Sequence, residues 1–235
     1  MPTIFCGLLL AVLTAPVFAQ EAEKQVVLTI SGKDLRGGVV SEVAWDGTTV
    51  VVQGVFADRG GTLAAQYFVK AADGVSVERR AEHTPGSLKY WETKSNRTSP
   101  TGLGRISITS DTKLPQYGIG SLERRMGDAV DLGGTLTTHT VRVGDLVLLE
   151  RVSPAVPYDG ETWSWSPAEL NRIAYIGKGG DLWIASADGR SPHRLRRGDF
   201  TLPAWSVDGR YVAVAEHKGN RWEISVIHIP VSLLR

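Results

Sequence analysis

The stretch WSWSPAELNRIAYI at 163–176 is echoed by PAWSVDGRYVAVA at 203–215, and the match between them decides the fold. Trp165 pairs with Trp205 at a spacing of 40, and Ile173 with Val212 at 39. The slip of one residue is absorbed by the first turn, which is longer at 168–171 than at Asp208-Gly209. After a glycine-containing turn each unit runs into a third apolar segment, DLWIA at 181–185 and EISVI at 223–227. A sheet of three or four short strands cannot bury both of its faces alone. Copies that recur every 40 or so residues solve this by stacking face to face around an axis, as propeller blades do.

The rest of the chain has the same texture. No segment after residue 20 sustains a helical period, and 122–130 is the one plausible helical piece. Short β-branched runs at 26–30, 39–43, 48–55, 64–69, 106–109, 135–143, 146–152, 172–176, 182–185, 211–215 and 223–229 are separated by Asp-Gly and Pro turns. The expected fold is therefore all-β, with β-propeller-like blades of short antiparallel strands and a β-rich N-terminal portion. Weaker echoes extend the repeat toward the N-terminus: AWDGTTVVV at 44–52 resembles the Trp205 segment, and Trp45 lies 120 residues before Trp165. The chain stops after the third strand of its last unit, so an early strand such as 26–30 is a candidate to complete that sheet. The organisation read from sequence is a leader at 1–19 and a β-rich region at 20–152, either degenerate blades or a separate β domain. A Pro-rich connection at 153–161 and repeats at 162–235 follow. Residues 94–120 read as a loop-rich stretch.

These residues resemble the TolB-like β-propeller repeat, whose pattern is W-S-x-D-G-R-x-[IV]-A followed by D-[IL]-[WY]-[IV] and A-D-G-x-x-P-x-R-L. One unit carries Trp205-Ser206, Asp208-Gly209-Arg210 and Val212-Ala213. The other carries Asp181-Leu182-Trp183-Ile184, Ala187-Asp188-Gly189, Pro192 and Arg194-Leu195. The resemblance covers 162–230 and departs from the pattern at 168–171, where the Asp-Gly turn is missing. Members of that family include a periplasmic accessory of a cell-envelope complex and the propeller portions of some serine peptidases. The resemblance implies a scaffold that binds a protein partner.

Targeting and composition agree with that implication. Met1 to Ala19 has no charged side chain, an apolar run at 4–13, Pro16, and small residues at positions suited to cleavage after Ala19. Removing those 19 of the 235 residues leaves 216, without the single cysteine, Cys6. The expectation is a periplasmic or secreted protein with no membrane span in the mature chain, stabilised without disulfides. With 26 Lys and Arg against 25 Asp and Glu, the net charge of +1 gives no footprint for nucleic acid.

No motif for a nucleophile elbow, a zinc peptidase helix, a P-loop or a full dinucleotide fingerprint occurs. The histidines at 83, 139, 193, 217 and 228 are scattered, with 217 and 228 able to approach across adjacent strands. We therefore expect no catalytic residue, no metal site and no cofactor. Trp165, Trp205 and Trp183 sit at repeat positions and read as packing. Trp163 and Trp222 fall outside those positions and, with Tyr90 and Trp91, are the candidate contacts for a partner or ligand. Sequence thus predicts a non-enzymatic scaffold binding an envelope or secreted protein. The alternative is a propeller that binds or hydrolyses carbohydrate through paired axial Asp or Glu residues.

Overall fold

The computed structural model describes residues 21–57, 63–70, 77–83, 97–113, 136–152, 162–177 and 179–234. In chain order the strands are β1 (Lys24–Ser31), β2 (Val39–Asp46), β3 (Thr49–Ala57), β4 (Leu63–Lys70), β5 (Val77–His83), β6 (Ile106–Lys113), β7 (Leu136–Val143) and β8 (Leu146–Val152). They continue as β9 (Trp163–Trp165), β10 (Arg172–Ile176), β11 (Leu182–Ser186), β12 (His193–Arg196), β13 (Phe200–Trp205), β14 (Tyr211–Lys218) and β15 (Arg221–His228). They form four antiparallel sheets, which we number as blades. The first is β2-β3-β4-β5, the second β6-β7-β8, the third β9-β10-β11-β12 and the fourth β13-β14-β15-β1. The expected all-β architecture of propeller-like blades is what the chain adopts. The candidate helix at 122–130 lies outside the described residues.

The fourth blade takes its outer strand from the other end of the chain. β1 pairs antiparallel with β15 from Lys24 opposite Ile227 to Ser31 opposite Arg221, with a bulge between Val26 and Leu28. The residues just before it are also fixed. The Ala22 N–H donates to the Leu195 carbonyl at 3.0 Å, and the Arg196 guanidinium donates to the Ala22 carbonyl at 2.6 Å. β1, from the N-terminal part of the chain, thus completes the sheet of the last repeat unit, as the early apolar run at 26–30 was a candidate to do.

Strand alternation sorts the side chains into three cores, each lying between two blades. On one face of the third blade Ala174, Ile176, Leu182, Ile184 and Leu195 meet Phe200, Trp205, Val212, Val214 and Ile227 of the fourth. Its other face, carrying Trp163, Ile173, Tyr175 and Ala185, meets Ile106, Val141, Val143 and Leu148 of the second blade. The fourth blade's remaining face, with Leu28, Ile30, Ala204, Ala213, Ala215 and Ile224, packs on Val40, Val43, Val50, Val52 and Phe68 of the first. Each fully buried Val, Leu or Ile contributes about 1.5–3 kcal/mol by leaving water. The tryptophans of the inner strands follow a single rule. Trp165 faces the second blade, Trp205 the third and Trp45 the fourth, so each looks toward the blade that precedes its own around the stack. The weak echo at Trp45 is thus a true repeat position.

A serine-anchored turn joins the first two strands of a blade and occurs three times. Ser206 donates its N–H to the Tyr211 carbonyl at 2.9 Å, and its hydroxyl oxygen accepts the Tyr211 N–H at 3.0 Å. Ser166 makes the same two bonds with Arg172, at 3.0 and 2.8 Å. Ser99 makes them with Gly104, at 2.8 and 2.9 Å. Thr98 forms a single bridge to Arg105 where Trp205 pairs with Val212, so 97–99 takes the place of the inner strand beside the three strands of the second blade. The stretch read as loop-rich from sequence therefore holds a third copy of the repeat. Gly104 cannot carry a side chain, because a Cβ there would collide with the Ala187 carbonyl and the Trp165 ring.

The outward face of the second blade is polar. Ser107, Arg142 and Val147 lie opposite one another across its three strands, as do Thr109, Thr140 and Glu150. All of these except half-buried Thr140 are exposed. This blade ends the stack among the described residues, as the polar outer face of a capping repeat does. Among the described residues there are four sheets, one of them completed by β1.

Two outcomes follow. Ile30 is fully buried against the first blade. Ile30→Ala should lower unfolding free energy by about 2–5 kcal/mol, read from urea denaturation, and an unchanged midpoint would show that β1 is not part of the cooperative unit. The second concerns the ion network that ties β1 to the hairpin. Glu216 accepts from Lys24 at 2.7 Å and lies 3.1 Å from Lys218, while Glu223 is held by Lys218 and Arg221, both at 2.8 Å. Burial pushes the Glu216 carboxyl upward, but hydrogen bonds from Lys24 and Lys218 and their charges outweigh it and hold its pKa below the ordinary 4.5. Glu223 is lowered chiefly by Lys218, against burial and with help from Arg221. Depressed carboxylate values mean that this stabilisation is complete above about pH 4.5 and is lost as pH falls through the folded values. The urea midpoint should drop between pH 5 and 3, and a Glu216→Gln/Glu223→Gln variant should show a shallower drop over that window.

Candidate functional site

The first and fourth blades diverge at the end of their shared core and leave a groove of about 850 Å³. It is built where two turns face the open end of a sheet. β2 ends at Trp45-Asp46, the chain reverses through Gly47 (φ 60°) and Thr48, and β3 departs at Thr49. Opposite lies the Ser206-Val207-Asp208 turn of the fourth blade. The floor crosses that blade from Tyr211 on β14 through Val226 on β15 to Gln25, Val27 and Leu28 on β1.

Trp45 forms the wall. Its indole N–H donates to the Ala204 carbonyl at 2.9 Å, which fixes the ring across the gap between the blades. Tyr211 follows at 6.4 Å between ring centroids, and His228 lies 5.4 Å beyond Tyr211. Val27, Leu28, Val50 and Val226 make the base aliphatic. Among the described residues no hydrogen bond engages the Gln25 amide, the Thr48 and Thr49 hydroxyls or the Tyr211 hydroxyl. Among the described residues the one charged lining residue is Asp208. Slight burial raises its pKa, but the Ser206 hydroxyl at 2.7 Å, the Arg210 N–H at 3.1 Å and the Arg210 charge bring it below the ordinary carboxylate value. It is therefore ionised at neutral pH and committed to its own turn. A groove of this kind can hold a ligand by dispersion and hydrogen bonds. Among the described residues its lining carries one carboxylate, whereas acid–base hydrolysis of a glycoside uses two.

The candidate contacts read from sequence lie elsewhere. Trp163 is fully buried in the core between the second and third blades, so it offers no surface to a partner and the expectation is corrected. The reason is parity: Trp163 and Trp165 are two apart on one strand, so both point to the same face. Trp222 is half-buried against the core of the fourth blade, with His217 at 4.8 Å from its ring. It sits at the hairpin end of that blade, away from the groove. Tyr90 and Trp91 lie outside the described residues. His217 and His228 pair with Trp222 and Tyr211 at opposite ends of the β14–β15 ladder and do not meet. No group of His, Cys, Asp and Glu able to hold a metal occurs among the described residues. Ser110 and His139 are opposite one another across β6 and β7, and the Ser110 hydroxyl and His139 Nδ1 form a cross-strand side-chain hydrogen bond at 2.8 Å.

Sequence reasoning missed the groove because its residues come from four separate segments with no shared spacing. One signal was present: Trp45, at a repeat position, precedes a two-residue turn where the other copies have longer ones.

No protein-family model matches the chain, and no curated protein matches it in sequence. Among solved structures the chain is similar to an oligogalacturonate lyase in complex with manganese, at 8% identity and a TM-score of 0.30. That match covers 84% of this chain and 67% of the lyase. A second similar structure is an oligogalacturonate lyase from Vibrio parahaemolyticus, at 11% identity and a TM-score of 0.29. It covers 78% of this chain and 56% of that protein, so this chain spans little more than half its length.

Proposed function

We propose that this chain is an exported, non-enzymatic, propeller-like scaffold that binds a protein of the bacterial envelope or of the space outside the cell. The resemblance of 162–230 to TolB-like repeats and the leader-like pattern of 1–19 support the class and the compartment. The observation that carries the reading is the groove between the first and last blades. Among the described residues it combines a fixed aromatic wall and unengaged hydrogen-bonding groups with one carboxylate, which is bonded within its own turn. That equipment suits binding by dispersion and hydrogen bonds. The aromatic wall gives the carbohydrate alternative its one supporting feature. Against it stands the floor of Val27, Leu28, Val50 and Val226, on which sugar hydroxyls would lose hydrogen bonds to water without replacing them.

The test places a photo-crosslinking residue at Thr48, on the groove rim, and in a second protein at Val147, on the polar face of the second blade. A protein adduct that forms at 48 and not at 147 is the expected result. Depletion of oligosaccharides from a neutral and acidic panel, with no protein adduct, would favour the carbohydrate alternative and overturn the scaffold. Export is read separately by N-terminal sequencing of the periplasmic fraction. The expected first residue is Gln20, and a cytoplasmic protein beginning at Met1 would refute it.

A further inference from the structure

The groove's dimensions and chemistry narrow what it can receive, given the scaffold reading on which this inference rests. It crosses the fourth blade from β14 to β1 past the inner turn. At about 4.8 Å between strands, the span from β13 to β1 is about 14 Å, the length of about four extended residues at 3.3 Å each. The base is branched aliphatic, so it favours an aliphatic side chain over a hydroxyl-bearing ring. Around that base stand both acceptors and donors: the Gln25 amide, the Thr48 and Thr49 hydroxyls and the Tyr211 hydroxyl. An extended backbone presents both kinds of group in alternation and can pair with them. Among the described residues Asp208 supplies the one formal charge in the lining, a negative one, with Arg210 beside it. Acidic ligands, polyuronates included, are repelled there, and a cation is attracted. Trp45 is already held by Ala204, so the wall need not be ordered at the moment of binding.

We infer that the groove binds an extended segment of about four residues from the partner protein, with a branched aliphatic side chain on the Val27–Val226 floor and a neighbouring Lys or Arg at Asp208. The ligand's main chain lies across the strands of the fourth blade, from the Ser206–Asp208 turn to Gln25. It is held by side chains of the two blades and adds no strand to a sheet.

The experiment pans a phage-displayed library of random dodecapeptides over the full mature chain. Enriched sequences should place Val, Ile or Leu beside Lys or Arg. A synthetic peptide carrying the enriched motif should bind the Gln25→Arg/Thr48→Arg variant at least about tenfold more weakly. Both substitutions fall at exposed positions, so the variant should melt with the parent. Equal binding by a variant that melts normally would overturn the inference, as would enrichment of Asp or Glu, or no enrichment at all. Competition separates this idea from the scaffold reading. If Thr48 crosslinks a protein that the enriched peptide does not displace, the peptide inference falls and the scaffold stands. If nothing crosslinks at Thr48, both fall.

Discussion

The pairing of β1 with β15 is the constraint on which the rest of the molecule depends. It joins residues about two hundred positions apart and gives the fourth blade its outer strand. Without it, Leu28 and Ile30 would be missing from the core that binds the first blade to the fourth. The same strand supplies Lys24 to the Glu216 network and Gln25, Val27 and Leu28 to the groove. Structure and candidate site therefore share one seam. A loss there would be felt in both, which is why a groove variant has to be judged against its melting behaviour.

Around that seam the stack obeys a two-face rule. A blade in the middle must be apolar on both sides, and the third and fourth blades are. A blade at an end needs one apolar face only. The second blade meets this with Ser107, Thr109, Arg142 and Glu150 turned outward, opposite the buried Ile106, Val141 and Val143. The inner-strand tryptophans give the stack its direction, since each spans the gap toward the preceding blade. At the third and fourth blades that ring fills a core. Trp45 does the same thing at a place where the β2–β3 turn is two residues shorter than its counterpart after Trp205 (Trp45 pairs with Val50, Trp205 with Val212). The gap beside Trp45 stays partly unfilled, and the groove is that remainder.

These relations explain what the sequence could and could not reveal. The repeat at Trp165 and Trp205 was legible because ring, serine, turn and β-branched run agree at fixed offsets. The third copy was not, because Thr98 replaces the tryptophan and Gly104 occupies the position of Tyr211, leaving only Ser99 and the run from Ile106. The role of β1 was legible as a possibility, since a sheet of three strands lacked an edge and 26–30 was apolar. Trp163 was read as a contact because it falls outside the shared repeat positions, while its parity with Trp165 on one strand places it in the core. The groove escaped because Gln25, Thr48, Tyr211 and Val226 become neighbours only once β1 has joined the last sheet. Sequence spacing records local repetition, and a seam between the chain's two ends has none.

That seam also has a kinetic side. A contact between β1 and β15 carries a large loop-closure cost, so it forms after the local hairpins of each blade. The core between the third and fourth blades can assemble from consecutive strands, whereas the core of the first and fourth blades must wait for β1. A ligand in the groove touches β1, the β2–β3 turn and the fourth blade together, so it binds only where these are assembled. Binding of that kind stabilises the assembled seam in proportion to the logarithm of ligand concentration over its dissociation constant. The physical coupling between occupancy and closure is therefore built into where the groove lies, whatever partner fills it.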